Sequence, residues 1–334
     1  MFRAGLIGLG NIAALYSTPE DPLPYCHAGG IRLTKGIKLV AAAEPDAKRR
    51  AEVGSTWGIP KLYENADQML AGEHLDVAAV CAKGPLHLEL SRKVIEADVP
   101  VLFLEKPAGL SMAEVDEIAN LARKHNTFVV VSYTRHWGPH MLEAARLIHE
   151  GVVGQVLSVN SYCGGGIVGF AVHNVDMLCQ FAGYDPARVF ARLTEGHEPV
   201  PDGFESEPHV NAAIVDYAGG ASGFFTGDPG KRPSFSVEVM GSKGYARIAY
   251  YGKAEFFDAD GNPVALKIPE DKSPFEVAYG QIVAYLESGK KPECGPEQFV
   301  AVNEIVFGMI ESGLGNQPVT LPNARRIRKI YCMG

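Results

Sequence analysis

Residues 5–13 read GLIGLGNIA, closing the short apolar run that begins at Phe2. Gly8, Gly10 and Ala13 stand in G-x-G-x-x-A spacing. With 37 glycines in 334 residues the spacing alone is a weak signal, and an ordinary strand–helix turn is the plain alternative. Its position strengthens it. A glycine after a first strand permits a tight turn, a second lets the backbone approach a pyrophosphate, and the following helix offers its first amides to that anion. Gly8, Gly10, Asn11 and Ile12 are therefore candidate dinucleotide contacts.

The pattern continues outward from there. Apolar runs recur at 37–44 (IKLVAAAE), 76–82 (DVAAVCA), 99–105 (VPVLFLE) and 127–133 (TFVVVSY). Helical stretches separate them at 45–58, 85–98 and 111–126, the last with Met112, Val115, Ile118, Ala119 and Ala122 at helical spacing behind a Ser111/Glu114 capping pair. Unbroken apolar strands alternating with amphipathic helices predict an α/β, doubly wound parallel sheet covered on both faces. After about residue 134 the texture changes. One helix (138–151) is followed by strand-like runs at 156–162, 188–194, 210–218, 221–227, 235–241, 245–251, 254–261 and 264–269, with turn signals between several of them, then helices at 275–289 and 297–313. The expectation is a Rossmann dinucleotide-binding domain over 1–130 and an α+β domain over 131–334 on a largely antiparallel, open-faced sheet. The uncovered face is a candidate subunit interface, giving a homodimer or homotetramer.

Composition sets the outer bounds. A net charge of −8 argues against a general nucleic-acid binder, whose affinity comes from phosphate neutralisation. The six cysteines include no CxxC pair, which fits reduced thiols of a cytoplasmic protein rather than a disulfide framework or a zinc site. The N-terminus lacks the basic segment of a signal peptide, and no run approaches the roughly 18 apolar residues of a membrane span.

Glu44 ends the second strand, where an acid is expected to hold ribose hydroxyls and to disfavour a 2′-phosphate. NAD is therefore preferred, with NADP the alternative because Lys48, Arg49 and Arg50 follow at once. The stretch VLFLEKP (101–107) ends a core strand with Glu105, Lys106 and Pro107. Carboxyl ends of parallel strands face the ligand crevice, so Lys106 stands where a nicotinamide would lie. Pro107 fixes its own φ, biases Lys106 to an extended conformation and admits a cis peptide. Glu105 is expected to pair with that ammonium or with a neighbour.

Together, G-x-G-x-x-A, Glu44-Pro45-Asp46 with Arg49, His87 in CAKGPLH, and Glu105-Lys106-Pro107 resemble the glucose-fructose oxidoreductase / inositol dehydrogenase / rhizopine catabolism (Gfo/Idh/MocA) family. The resemblance extends along the chain through RLIHEGVVGQVLSV, a GGG…H-x-x-D segment and the C-terminal region. It implies a substrate and nicotinamide contact at Lys106, with Arg135 lining the same crevice. Ala82, Lys83, His87, Glu105 and Pro107 join the candidate cofactor residues. Lys83 stands where the family usually has proline, and reads equally as a ligand contact or a loop charge.

The segment GGGIVGFAVHNVDMLCQFAG (164–183) puts His173, Asp176 and Gln180 on one helical face and Val172, Val175, Cys179 and Ala182 on another. Packing by the apolar stripe would present His173 and Asp176 to a cleft. The chemistry that uses such groups is oxidation of a secondary alcohol: histidine takes the hydroxyl proton, Lys106 stabilises the oxygen, and Asp176 orients the ring or binds a neighbouring hydroxyl. The resemblance agrees, placing an acid/base at His173. Position 169 is Gly where many members carry Asp or Asn, and position 180 is Gln where inositol-dehydrogenase-like members carry His. Arg135, Trp137 and Tyr162 are further substrate candidates, Trp137 with a core reading beside it and Tyr162 as an alternative acid/base. His27 reads as a helix start or a site residue. The expected ligand is a sugar, cyclitol or sugar derivative. A redox-neutral glycosidase or lyase working through a transient keto-sugar, and a non-catalytic cofactor-binding regulator, are the rival readings.

Overall fold

The computed structural model describes residues 1–227, 235–267, 269 and 271–334. The chain divides into two compact units. The first comprises Met1–Gly109, Glu114–Trp137 and Lys272–Pro296. Its strands are β1 (Phe2–Ile7), β2 (Ile37–Ala43), β3 (Lys61–Tyr63), β4 (Val77–Val80), β5 (Val101–Glu105) and β6 (Phe128–Ser132). They form one sheet in the order β3-β2-β1-β4-β5-β6, every pair parallel. This is the doubly wound order, which reverses between β1 and β4.

The crossovers carry a five-residue wide helical turn (Asn11–Leu15), then α1 (His27–Leu33), α2 (Ala47–Trp57), α3 (Ala66–Gly72), α4 (His87–Glu96) and α5 (Met112–His125). Helix α2 shows how local chemistry sets such bounds: the Asp46 carboxylate accepts from Arg49 N at its start, and Gly58 closes it at φ +61°. Burial explains why the strands lack alternation. Val77–Val80 and Val101–Leu104 are buried at every position, as covering by helices on both faces requires. Each such Val, Leu or Phe contributes about 1.5–3 kcal/mol by leaving water. The stretch 272–296 supplies α8 (Pro274–Ser288) to this unit, where Ser273 Oγ donates to Pro24 O at 2.5 Å.

The second unit comprises Leu110–Ala113, Gly138–Asp271 and Glu297–Gly334. Its strands are β7 (Val156–Tyr162), β8 (Pro186–Thr194), β9 (Glu205–Ser206), β10 (His209–Tyr217), β11 (Ser222–Thr226), β12 (Ser236–Gly241), β13 (Gly244–Ala249), β14 (Ala254–Asp258), β15 (Pro263–Val264), β16 (Val319–Thr320) and β17 (Ile330–Tyr331). Nine of these make one sheet, β15-β14-β13-β12-β7-β11-β10-β8-β16, antiparallel except for the β7–β11 pair; β9 and β17 pair separately. Here the strands do alternate. Val159, Ser161, Val237, Val239, Phe225 and Val215 are buried on the inner face, while Ile214 and Met240 are nearly half exposed on the outer one. Helices α6 (Pro139–His149), α7 (Val172–Ala182) and α9 (Pro296–Gly315) belong to this part of the chain. Helix α7 packs on β7, β11 and β12, and Ser312 Oγ of α9 accepts from Ala191 N of β8 at 3.0 Å.

The α/β and open-sheet architecture is as the sequence predicts. The differences are local. Helix α1 starts at His27, as one reading of that residue has it, whereas strand β3 and helix α3, three and seven residues long, are too short to show a period in the sequence. The helix expected directly after the glycines is only the Asn11–Leu15 turn. Of the run at 264–269, Val264 alone is in a strand, and residue 268 lies outside the described residues.

Candidate active site

The glycines after β1 differ in what they meet. Gly8 has φ +86°, and a Cβ there would sit 3.0 Å from Ala82 N and 3.1 Å from Ala82 Cα, so no side chain fits this turn. Gly8 N donates to Ala43 O and Cys81 N to Ile7 O, both at 2.8 Å, clamping the turn between the ends of β2 and β4. Gly10 has φ −76°, and a Cβ there would meet no atom within 4 Å. Nothing in the protein's own packing requires glycine at position 10. Glu44, buried at the end of β2, accepts from Leu9 N at 2.9 Å through Oε2 and from Asp46 N at 3.1 Å through Oε1. Arg49 Nη1 lies 3.6 Å from the same Oε1. The acid is thus fixed beside the glycine turn, with Asn11 and Ile12 opening the helical turn that follows. These residues fit a dinucleotide: a tight first glycine, an open second one, and an anchored carboxylate at the end of β2.

Along the β4–β5 edge, His87 binds two carbonyls at once. Its Nδ1 is 2.6 Å from Pro107 O and its Nε2 2.9 Å from Ala82 O. Burial holds its pKa below the usual histidine range. The two carbonyls and Glu105 oppose that shift, and the Lys106 charge reinforces it. Glu105 is fully enclosed; its Oε1 meets His27 Nε2 at 2.9 Å, and its Oε2 accepts from Lys106 N at 3.3 Å. The neighbour that pairs with Glu105 is therefore His27. Burial alone would raise this carboxyl's pKa. The His27 hydrogen bond and charge, the Lys106 charge and the Ser132 hydroxyl outweigh it and hold the pKa below the ordinary value. His27 opens α1 and passes its other nitrogen to Tyr279 Oη of α8 at 2.8 Å. Tyr279 was not singled out in the sequence; burial pushes its phenol well above the usual range. The Lys106–Pro107 peptide is cis. Lys83 is exposed just before the turn at Gly84–Leu86, and Arg135 Nη1 donates to Thr134 Oγ1 at 3.1 Å. Trp137 is buried edge-on against Phe103, with Nε1 donating to Gln281 Oε1 at 3.3 Å, so it is core of this unit.

In the second unit, the glycine run before α7 folds around Glu207, a carboxylate that no sequence motif singles out. Gly165 takes φ +101°, and a Cβ on Gly166 would lie 2.3 Å from Glu207 Cδ. Glu207 Oε1 accepts from Val168 N at 2.5 Å and Gly169 N at 2.6 Å, and Ile167 N donates to Pro208 O at 3.1 Å. A Cβ on Gly169 would lie 2.5 Å from Cys332 Sγ, so the C-terminal segment occupies the space an acidic side chain would need at that position. Asn174 then pins α7 to β7, its Nδ2 donating to Ser161 Oγ at 2.7 Å and Tyr162 O at 3.1 Å.

His173, Asp176 and Gln180 share a face of α7, as their spacing predicts, but burial does not separate that face from the apolar one. Every residue from Val172 to Phe181 is buried. The Phe235 ring meets the His173 imidazole edge-on at 6.0 Å. Tyr162 is not brought to α7. Its neighbour Ser161 faces the helix, so strand alternation sends the Tyr162 side chain to the outer face, where its hydroxyl donates to Glu238 Oε2 at 3.3 Å. Among the described residues, no helix is long and apolar enough to cross a membrane.

Comparison with known proteins gives the class first. Residues 2–133 match the model of an oxidoreductase family with an NAD-binding Rossmann fold. Trans-1,2-dihydrobenzene-1,2-diol dehydrogenase of Mus musculus is 22% identical over 347 residues, covering 97% of this chain and 99% of that protein. Myo-inositol 2-dehydrogenase of Thermotoga maritima is 24% identical over 262 residues, covering 72% of this chain and 73% of that one. The solved structure of levoglucosan dehydrogenase with NADH and levoglucosan superposes with a TM-score of 0.79 at 17% identity, over 96% of this chain and 100% of that one. The matched residues 2–133 are thus similar to the NAD-binding part of the Gfo/Idh/MocA oxidoreductases.

Proposed function

We propose that this chain is a dehydrogenase that transfers a hydride between a secondary hydroxyl of a sugar, cyclitol or sugar derivative and a nicotinamide dinucleotide, NAD in preference to NADP. The observation that carries the cofactor half is Gly10, a glycine that only an approaching ligand would require. The Glu44 carboxylate supports NAD, because an anion fixed there repels a 2′-phosphate. Arg49, 3.6 Å from it, is engaged by that carboxylate. Ring diols, inositol and levoglucosan are named for the relatives above, and they support a hydroxylated ring as substrate.

When bound, the dinucleotide accepts the two electrons and the hydrogen that leave the carbinol carbon. The remaining work falls to the chain. Lys106 donates a hydrogen bond to the carbinol oxygen and stabilises its developing charge. His173 takes the hydroxyl proton, and Asp176 orients its ring. His87, Ala82 and Pro107 hold the ledge from which Lys106 projects. The outer face of the second sheet, with Ile214 and Met240, is the proposed contact of a homodimer or homotetramer. Six free cysteines support a cytoplasmic setting.

The test is a sugar and polyol screen with NAD, followed at the reduced-nicotinamide absorbance. Stoichiometric NADH is expected, and Lys106→Ala should slow its formation about 10²–10³-fold while an NAD-induced rise in melting temperature persists. Product without net NADH would instead establish the redox-neutral lyase. NAD binding with no turnover on the panel would favour a regulator.

A further inference from the structure

A chain of buried polar groups ends at the backbone of Lys106. The Tyr279 hydroxyl of α8 meets His27 Nδ1 at 2.8 Å, His27 Nε2 lies 2.9 Å from Glu105 Oε1, and Glu105 Oε2 accepts from Lys106 N at 3.3 Å. All three side chains are buried. A carboxylate only accepts, so the proton between His27 and Glu105 belongs to Nε2. Aromatic rings cage the imidazole: its centroid is 4.8 Å from that of Phe103 on β5 and 4.6 Å from that of Phe275 on α8. The titratable groups acting on Glu105 besides His27 are Lys106, Cys81, His87 and Tyr279. Burial pushes the Cys81 thiol well above the usual range and that of Cys26 up to about 11, so neither thiol competes with Glu105 as the anion. Stability alone does not account for such a chain. Burying a charge is costly, and apolar groups of like volume in place of a buried ionic network are often neutral or stabilising. What the chain does provide is a fixed Lys106, held at its own N–H by Glu105 and beyond its carbonyl by His87, whose Nδ1 is 2.6 Å from Pro107 O.

We infer that Tyr279 and His27 are positioning residues for the hydride transfer: they lock the Glu105 carboxylate against the Lys106 backbone, and so fix the place from which the ammonium meets the carbinol oxygen. This rests on the dehydrogenase reading above and on the part Lys106 plays in it. The three residues act in series. Glu105 touches Lys106, His27 orients Glu105, and Tyr279 orients His27. They exchange no proton with the substrate. A fixed anion beside an ammonium also favours its charged form, the form that donates to a developing alkoxide. The same coupling runs the other way, since the Lys106 charge helps to hold Glu105 ionised.

The experiment compares Tyr279→Phe, His27→Gln and Glu105→Gln in the full chain with NAD, on myo-inositol, levoglucosan and D-glucose. Tyr279→Phe removes one hydroxyl and should lower kcat about threefold to tenfold, the worth of one hydrogen bond. Glu105→Gln should lower it about 10–100-fold, with His27→Gln between them. KM for NAD should stay within about twofold, since uniform binding is untouched. Ser273→Ala is the control: it loosens α8 by removing the bond to Pro24 O but leaves the chain of polar groups intact, and should lower the melting temperature with little change in kcat. A kcat for Tyr279→Phe equal to that of wild type, or a loss matched by Ser273→Ala at the same melting temperature, would overturn the inference. A second readout needs no turnover. Acetic anhydride labels uncharged amines, and peptide mass spectrometry at fixed pH compares Lys106 with Lys48, whose side chain is 85% exposed. Labelling of Lys106 relative to Lys48 should rise about threefold or more in Glu105→Gln, and in the same direction in Tyr279→Phe and His27→Gln. If no compound turns over, this ratio decides, and an unchanged ratio in all three variants refutes the inference. Should Tyr279→Phe not fold, His27→Gln is read in its place. Absence of any NAD-induced stabilisation of the wild type removes the dehydrogenase reading itself, a result distinct from either.

Discussion

The two sheets place their polar residues by different physics. In the parallel sheet, strand direction does it: Glu44, Lys83, Glu105, Lys106 and Arg135 all stand at or just after the carboxyl ends of strands, because a parallel sheet sends every such end to one edge. In the second sheet, His173 and Asp176 lie on a helix that is buried along its length. Their placement depends on a glycine loop wrapped around Glu207 and on Asn174 bonded to β7. An edge site is set by topology and survives variation in packing. A helix site is set by packing and is sensitive to it.

The largest effects should come from the groups assigned to chemistry. Lys106→Ala is expected to lower kcat by about 10²–10³-fold, and His173→Ala by about 10²–10⁴-fold, each with NAD binding retained. The contrast sharpens at the next level. Glu207→Ala strips the acceptor from Val168 N and Gly169 N, and should cost about 1–3 kcal/mol of stability while lowering kcat through His173. Chemical denaturation and kinetics on the same sample would show it, and an unchanged kcat would break the claim that packing sets the helix site.

Gly8→Ala should cost about 1–3 kcal/mol by forcing a side chain into a left-handed turn against Ala82. Gly10→Ala should leave the melting temperature of the free protein unchanged and weaken NAD about tenfold, roughly 1.4 kcal/mol. A titration monitored by nicotinamide fluorescence separates the pair.

The smallest effect is a pH dependence. His87 is buried with its pKa depressed, so its contribution is fully present above the unfolded-state value of about 6.5 and is lost as pH falls below it. His87→Gln should flatten the stability profile as pH falls below about 6.5. Glu105, also depressed, loses its contribution only below its unfolded value of about 4.3, which keeps the two separable.

Much of this was readable in advance where a local rule applied. GLIGLGNIA and VLFLEKP each announce a strand, its end and the residue at that end, because strand, turn and charge are contiguous in sequence. Strand β7 and helix α6 likewise follow their apolar periods. What stayed hidden depends on distant partners. His27 gave no sign that its ring joins Glu105 to Tyr279, and Gly169 gave none that Cys332 fills the space beside it. The side to which Tyr162 points follows from which neighbour meets Asn174, a choice made 12 residues away. Helix α8 reads like any amphipathic segment, and nothing in its composition says that it packs with α1.

That last feature has a consequence for biogenesis. The imidazole of His27 waits for a phenol 252 residues further along the chain. A ribosome-bound intermediate ending near residue 137 would contain the whole parallel sheet and still lack the helix that seals His27 and Glu105 from water. The first unit to begin folding is therefore completed only after most of the second has been synthesised. Nascent chains stalled before α8 should be far more protease-sensitive around residues 27 and 105 than those stalled after it.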